Sequence, residues 1–394
     1  MVWNGANTTR GLVHGAAVVH SRFGSARILV VGDLMLDRYL WGDVRRISPE
    51  APVPVVCQTS QSERPGGAAN VVANLIGLGA QVAVAGFAGS DANGACLLAL
   101  LQELSANTDA VVRVAGRPTT TKTRIVSGHQ QMLRLDWEDA TPFSAEDVAR
   151  LLKGVRQQLS SRPSAAILSD YAKGVLSEPV CRAIVAEARE LRIPVLVDPK
   201  GRDYTKYTNA TVITPNKLEL AVACDVSPDH VEELLEAAER LRQRLNLDFL
   251  LFTRGQEGVS MVEAGRAFHI PAVAKRVFDV SGAGDTVIAT VAAGLAAGLD
   301  HIEAVHLANV AAGVVVGKVG TVPIERDELL EALSTEHTLS QHNKICSDPA
   351  KSLRPDVMVT EDDGAGNARP AKSMTSKTEQ DQAPISYFDP PGNK

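Results

Sequence analysis

The sequence has few cysteines, few histidines and no spacing typical of a metal site. Five cysteines are scattered over 394 residues without a C-x-x-C pair, and the nine histidines form no H-x-x-x-H or H-E-x-x-H pair. An odd, scattered set of cysteines argues against a disulfide framework and a zinc site. It is typical of a reducing compartment, so we expect a cytoplasmic protein.

The sequence also lacks a basic run and a long apolar run. The net charge is -6, so nucleic acid and an anionic membrane surface are not expected partners. The longest apolar run, 287–299, has the length of a core helix and is shorter than the ~18 residues that span a bilayer. With 45% hydrophobic residues, the chain can nevertheless bury a large core.

Short β-rich runs alternate with helical patterns from residue 26 onward. Strands separated by helices of ten or more residues form βαβ units. We therefore predict an α/β fold with a mostly parallel central sheet flanked by helices. The predicted strands are 28–31, 82–86, 166–169, 195–197, 211–213 and 249–252, and helices are predicted at 179–191 and 229–245.

Four regions depart from this alternation. Residues 39–65 and 109–138 have β patterns with no helix between them, which predicts a small antiparallel sheet at one edge of a main domain that covers 26–338. Residues 1–25 show no periodicity and are expected to form a loose extension. Residues 339–394 are polar and aperiodic, which predicts a disordered tail.

The segment Asp279-Val-Ser-Gly-Ala-Gly-Asp285-Thr286 carries the strongest chemical signal. Gly282, Ala283 and Gly284 leave backbone amides accessible at the start of a predicted helix, where the helix dipole favours an anion. Asp285 in the first turn could accept a proton from a hydroxyl group held beside that anion. The alternative is that Asp285 is only a favourable acidic residue at a helix start.

Further polar segments follow the other predicted strands. Ligands bind at the carboxyl ends of strands in open parallel sheets, so these segments are expected to share one edge. Asp37 could pair with sugar hydroxyls, and Asn216 with Glu219 could organise hydrated magnesium beside ATP. Each segment alone is equally compatible with a turn or a helix start. The segments are Gly32 to Arg38, Gly66-Gly67-Ala-Ala-Asn70, Ser169 to Gly174, Thr214 to Glu219 and Thr253-Arg-Gly255.

These segments together resemble the PfkB (ribokinase-like) carbohydrate kinases over roughly residues 26–335. The resemblance implies a three-layer domain with a β lid formed by 39–65 and 109–138, which often pairs with a second subunit. It implies Asp285 as catalytic base, the 282–284 amides as anion hole, and Mg²⁺ with ATP, and it leaves dependence on a monovalent cation open. By this resemblance the sugar would contact Asp37, Gly66, Gly67, Asn70 and Lys173. ATP would contact Asn216, Lys217, Leu218, Glu219, Thr253, Gly255 and Asn309, with Asn216 and Glu219 organising magnesium through water.

A narrower resemblance is carried by longer runs at 36–39, 46–55, 120–124, 130–136 and 198–201. These runs are similar to kinases that phosphorylate D-glycero-β-D-manno-heptose 7-phosphate at O1, in ADP-heptose synthesis for the lipopolysaccharide core. Residues 336–394 contain no H-x-G-H motif of the nucleotidyltransferase domain found in bifunctional forms, so a stand-alone kinase is expected. Because the substrate already carries a phosphate, cations should receive it. The candidates are Arg38, Arg124, Arg134 and Lys173.

Two other hypotheses remain open from the sequence. The same fold could phosphorylate a free sugar or a nucleoside, which would need no cation cluster at the far end of the pocket. A sensor that binds a sugar or nucleotide without turnover is the alternative from a different functional class, and the intact Asp285 and glycine loop argue against it.

Overall fold

The computed structural model describes residues 5–128, 130–139, 141–273, 277–318 and 320–346, without the side chains of 5–12, 337 and 339–346. The strands are β1 (Arg27–Gly32), β2 (Leu34–Ile47), β3 (Pro54–Gly67), β4 (Gln81–Gly89), β5 (Asn107–Val114), β6 (Thr121–Ser127), β7 (Gln130–Trp137), β8 (Ala165–Ser169), β9 (Val195–Asp198), β10 (Val212–Ile213), β11 (Phe249–Thr253), β12 (Val259–Glu263) and β13 (Arg266–Ile270). The helices are α1 (Gly5–Arg22), α2 (Ala68–Gly77), α3 (Ala92–Glu103), α4 (Ala145–Ser160), α5 (Glu178–Glu190), α6 (Lys217–Cys224), α7 (Val231–Leu245), α8 (Ala283–Ala296), α9 (His301–Val315) and α10 (Arg326–Cys346).

The central sheet has the strand order β13-β12-β11-β10-β9-β8-β1-β4-β5. The strands from β11 to β5 are parallel, while β12 and β13 extend one edge in antiparallel fashion. In β8 all five residues, Ala165 to Ser169, are buried, as is typical of a parallel strand covered on both faces. The predicted parallel sheet and its six predicted strands are confirmed.

Helices cover both faces of this sheet, which gives the three layers of the predicted fold. On one face Ile28 and Val30 of β1 pack into a core with residues of α2, α8 and α9. On the other face Leu29 and Val31 pack with residues of α4, α5 and α7. Successive side chains of a strand point to opposite faces, so a continuous apolar strand supplies both cores.

A second sheet, with the order β3-β2-β6-β7, forms the lid. The β2–β3 and β6–β7 pairs are antiparallel, but β2 and β6 pair in parallel, so the expectation of a wholly antiparallel sheet was wrong. The predicted lid segment 109–138 also began too early. Residues 109–114 belong to β5, which pairs with β4 in the central sheet, and the lid strand begins at Thr121.

The N-terminal residues are not a loose extension. Residues 5–22 form α1, and Val18, Val19 and Phe23 are buried in the same core as α8 and α9. His14, which interrupts the apolar pattern, contacts Glu303 of α9 at 2.8 Å. The expected disordered tail also began too early, because α10 continues to Cys346. The rest of that tail, 347–394, lies outside the described residues.

Candidate active site

The polar segments predicted to share one edge do meet at the carboxyl ends of the parallel strands. The segments after β8, β10 and β11 line a cavity of about 930 Å³, together with the end of β9 and the start of α8. The wall contains Tyr171, Asp198, Asn216, Thr253 and Gly284, each from a different segment. This is where ligands bind in open parallel sheets, so the edge is the candidate active site.

Asp285 lies in the first turn of α8 and is only 5% exposed. Both of its carboxylate oxygens accept hydrogen bonds from side chains. Asn70 Nδ2 donates to Oδ2 at 2.7 Å, and the Tyr171 hydroxyl donates to Oδ1 at 2.6 Å. Two donors from separate elements hold the carboxylate in one orientation, as a positioned proton acceptor requires.

Burial raises the pKa of Asp285 to about 6, against an ordinary value of 3.8. The hydrogen bonds from Asn70 and Tyr171 stabilise the charged form and limit this rise, while the nearby Asp37 carboxylate adds to it. A carboxylate with a pKa near 6 is ionised at neutral pH, yet it is a stronger base than an exposed aspartate. The site therefore places a usable proton acceptor at a helix N-terminus.

The glycine loop before Asp285 has the shape that an anion site needs. Gly282 has φ of +80°, and a Cβ there would lie 2.9 Å from Asn70 Nδ2, so a larger residue would strain the backbone and displace Asn70. Gly284 has no atom within 4 Å of its would-be Cβ and lines the cavity. The Ala283 amide donates to the Val280 carbonyl at 3.2 Å, which leaves the amides around Gly284 as the better placed donors.

The predicted sugar-binding segments lie beside Asp285. Gly67 has φ of +57°, and a Cβ there would lie 2.5 Å from the Asp33 carbonyl oxygen, so the turn into α2 requires glycine. A Cβ on Gly66 would lie 2.8 Å from Asp37 Cγ. Gly66 thus allows the Asp37 carboxylate to pack directly on the backbone, close enough for its charge to act on Asp285.

Asp33 has a structural role in the site. It is 1% exposed, and its carboxylate accepts backbone N–H groups of Tyr171, Lys173 and Val175 at 2.8 to 3.1 Å. Burial raises its pKa, while these backbone donors oppose the rise. Asp33 therefore fixes the loop after β8 that carries Tyr171 to Asp285.

Each of the four cations expected to receive a substrate phosphate is paired with a carboxylate. Arg124 donates to Asp37 at 2.8 Å, and Lys173 lies 2.7 Å from Glu138. Arg134 is exposed and binds both oxygens of Asp136 at 2.9 and 3.0 Å. Arg38 neighbours Asp37 in β2, so it projects from the opposite face of the lid. It binds Glu63 and Asn93 there, and the structure does not bring it into the site.

The predicted nucleotide-binding residues lie along the cavity. Asn216 caps α6 and forms a reciprocal capping box with Glu219, which also pairs with Lys200 at 2.5 Å. The Asn309 amide donates to the Pro271 carbonyl at 2.8 Å. Lys217, Leu218, Thr253, Gly255 and Asn309 all line the cavity with them. The arrangement leaves a long cleft from α6 to the start of α8.

Three residues near the reacting centre were missed by the sequence reasoning. Tyr171 contacts Asp285 directly, and Asp198 of β9 faces the same cavity. The carboxylates of Asp285 and Glu219 add to the effect of burial and raise the pKa of Asp198. Lys122 lies on β6 near Asp37. Tyr171 lies just after β8 and Asp198 is the last residue of β9, so their positions at the ends of predicted strands could have identified them as site residues. Nothing in the local sequence distinguished Lys122 from its neighbours.

Comparisons with known proteins agree with this geometry. The chain matches the pfkB family carbohydrate kinases over residues 25–327. It is 58% identical over 320 residues to the bifunctional protein HldE of Methylobacillus flagellatus, which covers 81% of this chain and 66% of that protein. It is 51% identical over 336 residues to the HldE of Magnetococcus marinus, covering 84% and 68%. The chain therefore spans less than two thirds of the first of these relatives.

Solved structures of kinases share the fold. Arabidopsis thaliana ribokinase, complexed with ribose and ATP, superimposes with a TM-score of 0.62 at 20% identity, covering 78% of this chain and 98% of that one. Escherichia coli phosphofructokinase-2, in complex with fructose-6-phosphate, gives 0.64 at 19% identity, covering 79% and 99%. With a family match over most of its length and a ribokinase-like fold, this chain belongs to the pfkB family of carbohydrate kinases and is an ATP-dependent sugar kinase.

Proposed function

We propose that this kinase transfers the γ-phosphoryl group of ATP to O1 of D-glycero-β-D-manno-heptose 7-phosphate, giving the 1,7-bisphosphate for ADP-heptose and lipopolysaccharide core synthesis. The observation that carries the proposal is the 58% identity to a bifunctional HldE protein over 81% of this chain. The long runs that resemble heptose phosphate kinases, such as 46–55 and 120–124, support the same substrate. Asp285, in the first turn of α8, is the proposed general base.

In the proposed reaction Asp285 accepts the proton of the O1 hydroxyl. O1 forms a bond to the γ-phosphorus of ATP while the bond from that phosphorus to the β,γ-bridging oxygen breaks, and ADP leaves with the electron pair. The amides around Gly284 and the α8 dipole stabilise the charge on the transferring group. Asp37 and Asn70 hold the sugar hydroxyls, so the protein contributes mainly positioning and charge stabilisation.

The residues of the cleft fit a hydrated divalent cation, which we propose to be Mg²⁺. Asp198, Asn216 and Glu219 line the cavity, and their carboxylate and amide groups are of the hard oxygen-donor type that Mg²⁺ prefers while it keeps several waters. Within the described residues no group of three or more His, Cys, Asp or Glu could hold a metal directly. This favours binding through water, and the bound ion would neutralise charge on the ATP phosphates.

The lid offers a surface for a second copy of the chain. Leu133, Leu135 and Trp137 alternate along β7, so they share one face, and they are 56%, 58% and 61% exposed. Their face is opposite to that of Asp37 and Lys122. Exposed apolar patches of this kind mark protein contacts, and we propose that two lids pair through this face.

No helix in the described residues is long and apolar enough to cross a membrane.

A coupled ADP-release assay with Mg²⁺–ATP and a panel of acceptors tests the proposed substrate. The panel contains D-glycero-D-manno-heptose 7-phosphate, fructose 6-phosphate, ribose, fructose and adenosine. Selective turnover of the heptose phosphate supports the proposal. Selective turnover of another acceptor would overturn the heptose assignment, and no turnover on any of them would favour a binding protein without catalysis.

A further inference from the structure

Lys122 differs from the four cations that were expected to receive the substrate phosphate because it forms no ion pair with a carboxylate of a described residue. Arg38, Arg124, Arg134 and Lys173 each contact an aspartate or glutamate. Lys122 has no carboxylate within ion-pairing distance among the residues that the structure describes. Lys122 is half-buried within the lid sheet. An ammonium group in this setting is available to a ligand.

The position of Lys122 in the lid sheet explains why it has no partner. It pairs in register with Asp37 of β2 on one side and with Asp136 of β7 on the other, so the three side chains share one face. Both aspartates are already bound by arginines: Asp37 accepts from Arg124, and both oxygens of Asp136 accept from Arg134. The nearest carboxylates are thus held elsewhere and leave the ammonium free.

Lys122 also lies at a definite place relative to the predicted base. Its Nζ is 5.7 Å from the ring centroid of Tyr171, and the hydroxyl of the same ring contacts Asp285. The Tyr171 ring therefore neighbours both the Lys122 ammonium and the Asp285 carboxylate. A sugar whose reacting hydroxyl is hydrogen-bonded to Asp285 can extend along the Tyr171 ring. A substituent at the far end of that sugar would then lie close to the Lys122 ammonium.

Burial without a directly paired carboxylate disfavours the ammonium form. Desolvation is the main cause that lowers the pKa of Lys122, and the charges of Asp37 and Asp136 oppose it. A phosphate dianion would supply the missing counter-charge, and a lysine binds phosphate well as a point charge. A free sugar would leave the cation uncompensated, so the same group would discriminate against it.

Arg64 is the nearest alternative on this face. It pairs in register with Asp37 from the β3 side and has no carboxylate partner among the described residues. Its guanidinium, however, donates to the Thr321 carbonyl at 3.0 Å and lies over the Tyr39 ring. It is held toward the backbone beside Gly320, whereas the Lys122 ammonium has no hydrogen bond to a described residue.

We propose that Lys122 binds the phosphate that the sugar substrate already carries, and that it selects sugar phosphates over free sugars. This inference rests on the proposed function, because it requires a phosphorylated acceptor. In this proposal the phosphate is bound by a residue of β6 and not by Arg38. Arg124 and Arg134 have a supporting role, because they bind Asp37 and Asp136 and so prevent these carboxylates from pairing with the Lys122 ammonium.

The test compares kcat/KM for D-glycero-D-manno-heptose 7-phosphate and for the same heptose without its phosphate, in wild type and in Lys122→Met. Removal of one partner of a desolvated charge pair typically lowers affinity by about 100-fold. We therefore expect Lys122→Met to lose about 100-fold on the phosphorylated sugar and less than threefold on the free sugar. Lys122→Arg, which keeps the charge, should recover part of the loss.

Matched controls separate the possible outcomes. Arg38→Gln, on the opposite face of the lid, should leave the ratio of the two kcat/KM values at its wild-type level, and calorimetric ATP binding verifies that each variant is folded. An equal loss on both substrates in a Lys122→Met protein that binds ATP would overturn the inference while leaving the proposed function intact. If wild type prefers another sugar phosphate, the same ratio is measured with that pair. Preference for an unphosphorylated sugar would overturn both proposals.

Discussion

The Tyr171 hydroxyl donates a 2.6 Å hydrogen bond to Asp285 Oδ1, while Asn70 donates to the other carboxylate oxygen. Tyr171 comes from the loop after β8, and Asp285 from the start of α8, so the bond joins two elements at the sheet edge. It orients the carboxylate and stabilises its charged form. Tyr171 is therefore a positioning residue for the predicted base.

Tyr171→Phe should move the acidic limb of the pH–rate profile to higher pH. In wild type we expect kcat/KM to fall below about pH 6, because Asp285 must be ionised and its pKa is about 6. The phenol lowers this pKa, so its removal raises it, by about one unit for a hydrogen bond to a charged group. The pH dependence of kcat/KM measures the shift. A purely structural role for Tyr171 would lower the rate without moving the limb.

Asp285→Asn should stabilise the folded protein at pH 8 but not at pH 4. The folded-state pKa of about 6 exceeds the ordinary value of 3.8, so the folded state binds the proton more tightly. Wild-type stability therefore falls as pH rises from about 4 to 6, by up to about 3 kcal/mol. Asparagine does not ionise and avoids this loss. Denaturant unfolding at the two pH values measures it, and an identical difference at both would contradict the pKa assignment.

Gly282→Ala and Gly284→Ala should differ sharply although the residues are two positions apart. At Gly282 the φ of +80° and the 2.9 Å approach to Asn70 Nδ2 imply a loss of about 1–3 kcal/mol in the free energy of unfolding. At Gly284 a Cβ meets nothing within 4 Å, so the fold should tolerate alanine. That methyl group enters the cleft and should weaken ATP binding. Unfolding curves and ATP titrations of both variants check this contrast.

The proposed pairing of two lids predicts that Leu135→Glu yields a monomer. The residue is 58% exposed in the single chain, so glutamate there should leave the fold intact, while a charge buried between two lids would be unfavourable. Light scattering coupled to size exclusion measures the mass. A monomeric wild type, or an Leu135→Glu dimer, would show that this face does not form the contact.

The sequence was sufficient to predict the central sheet and the position of Asp285. Runs such as 166–168 are apolar throughout because parallel strands are covered on both faces. The glycines before Asp285 signal a helix start that a ligand can approach. Both features are local, so they can be recognised without knowing the rest of the fold.

Features that depend on distant pairings were not predictable. The parallel β2–β6 pair joins residues about 85 positions apart. The alternation of side chains along β2 places Arg38 and Asp37 on opposite faces of the sheet, but it does not show which of the two faces is directed toward Asp285. Val18 and Val19, near the end of α1, are buried, and Phe23 directly after the helix is buried with them, so the helix lacked a periodic signal. Lys122 could not be recognised from the sequence, because its lack of an ion-pair partner depends on Arg124 binding Asp37 and Arg134 binding Asp136.

The most direct test of the central claim is steady-state ADP release with D-glycero-D-manno-heptose 7-phosphate and Mg²⁺–ATP, measured for wild type and Asp285→Asn at neutral pH. A positioned general base contributes about 100-fold or more. We predict robust wild-type turnover and a loss of at least that size in the variant, with ATP affinity unchanged. Variant turnover within about tenfold of wild type would contradict the role of Asp285 as the base.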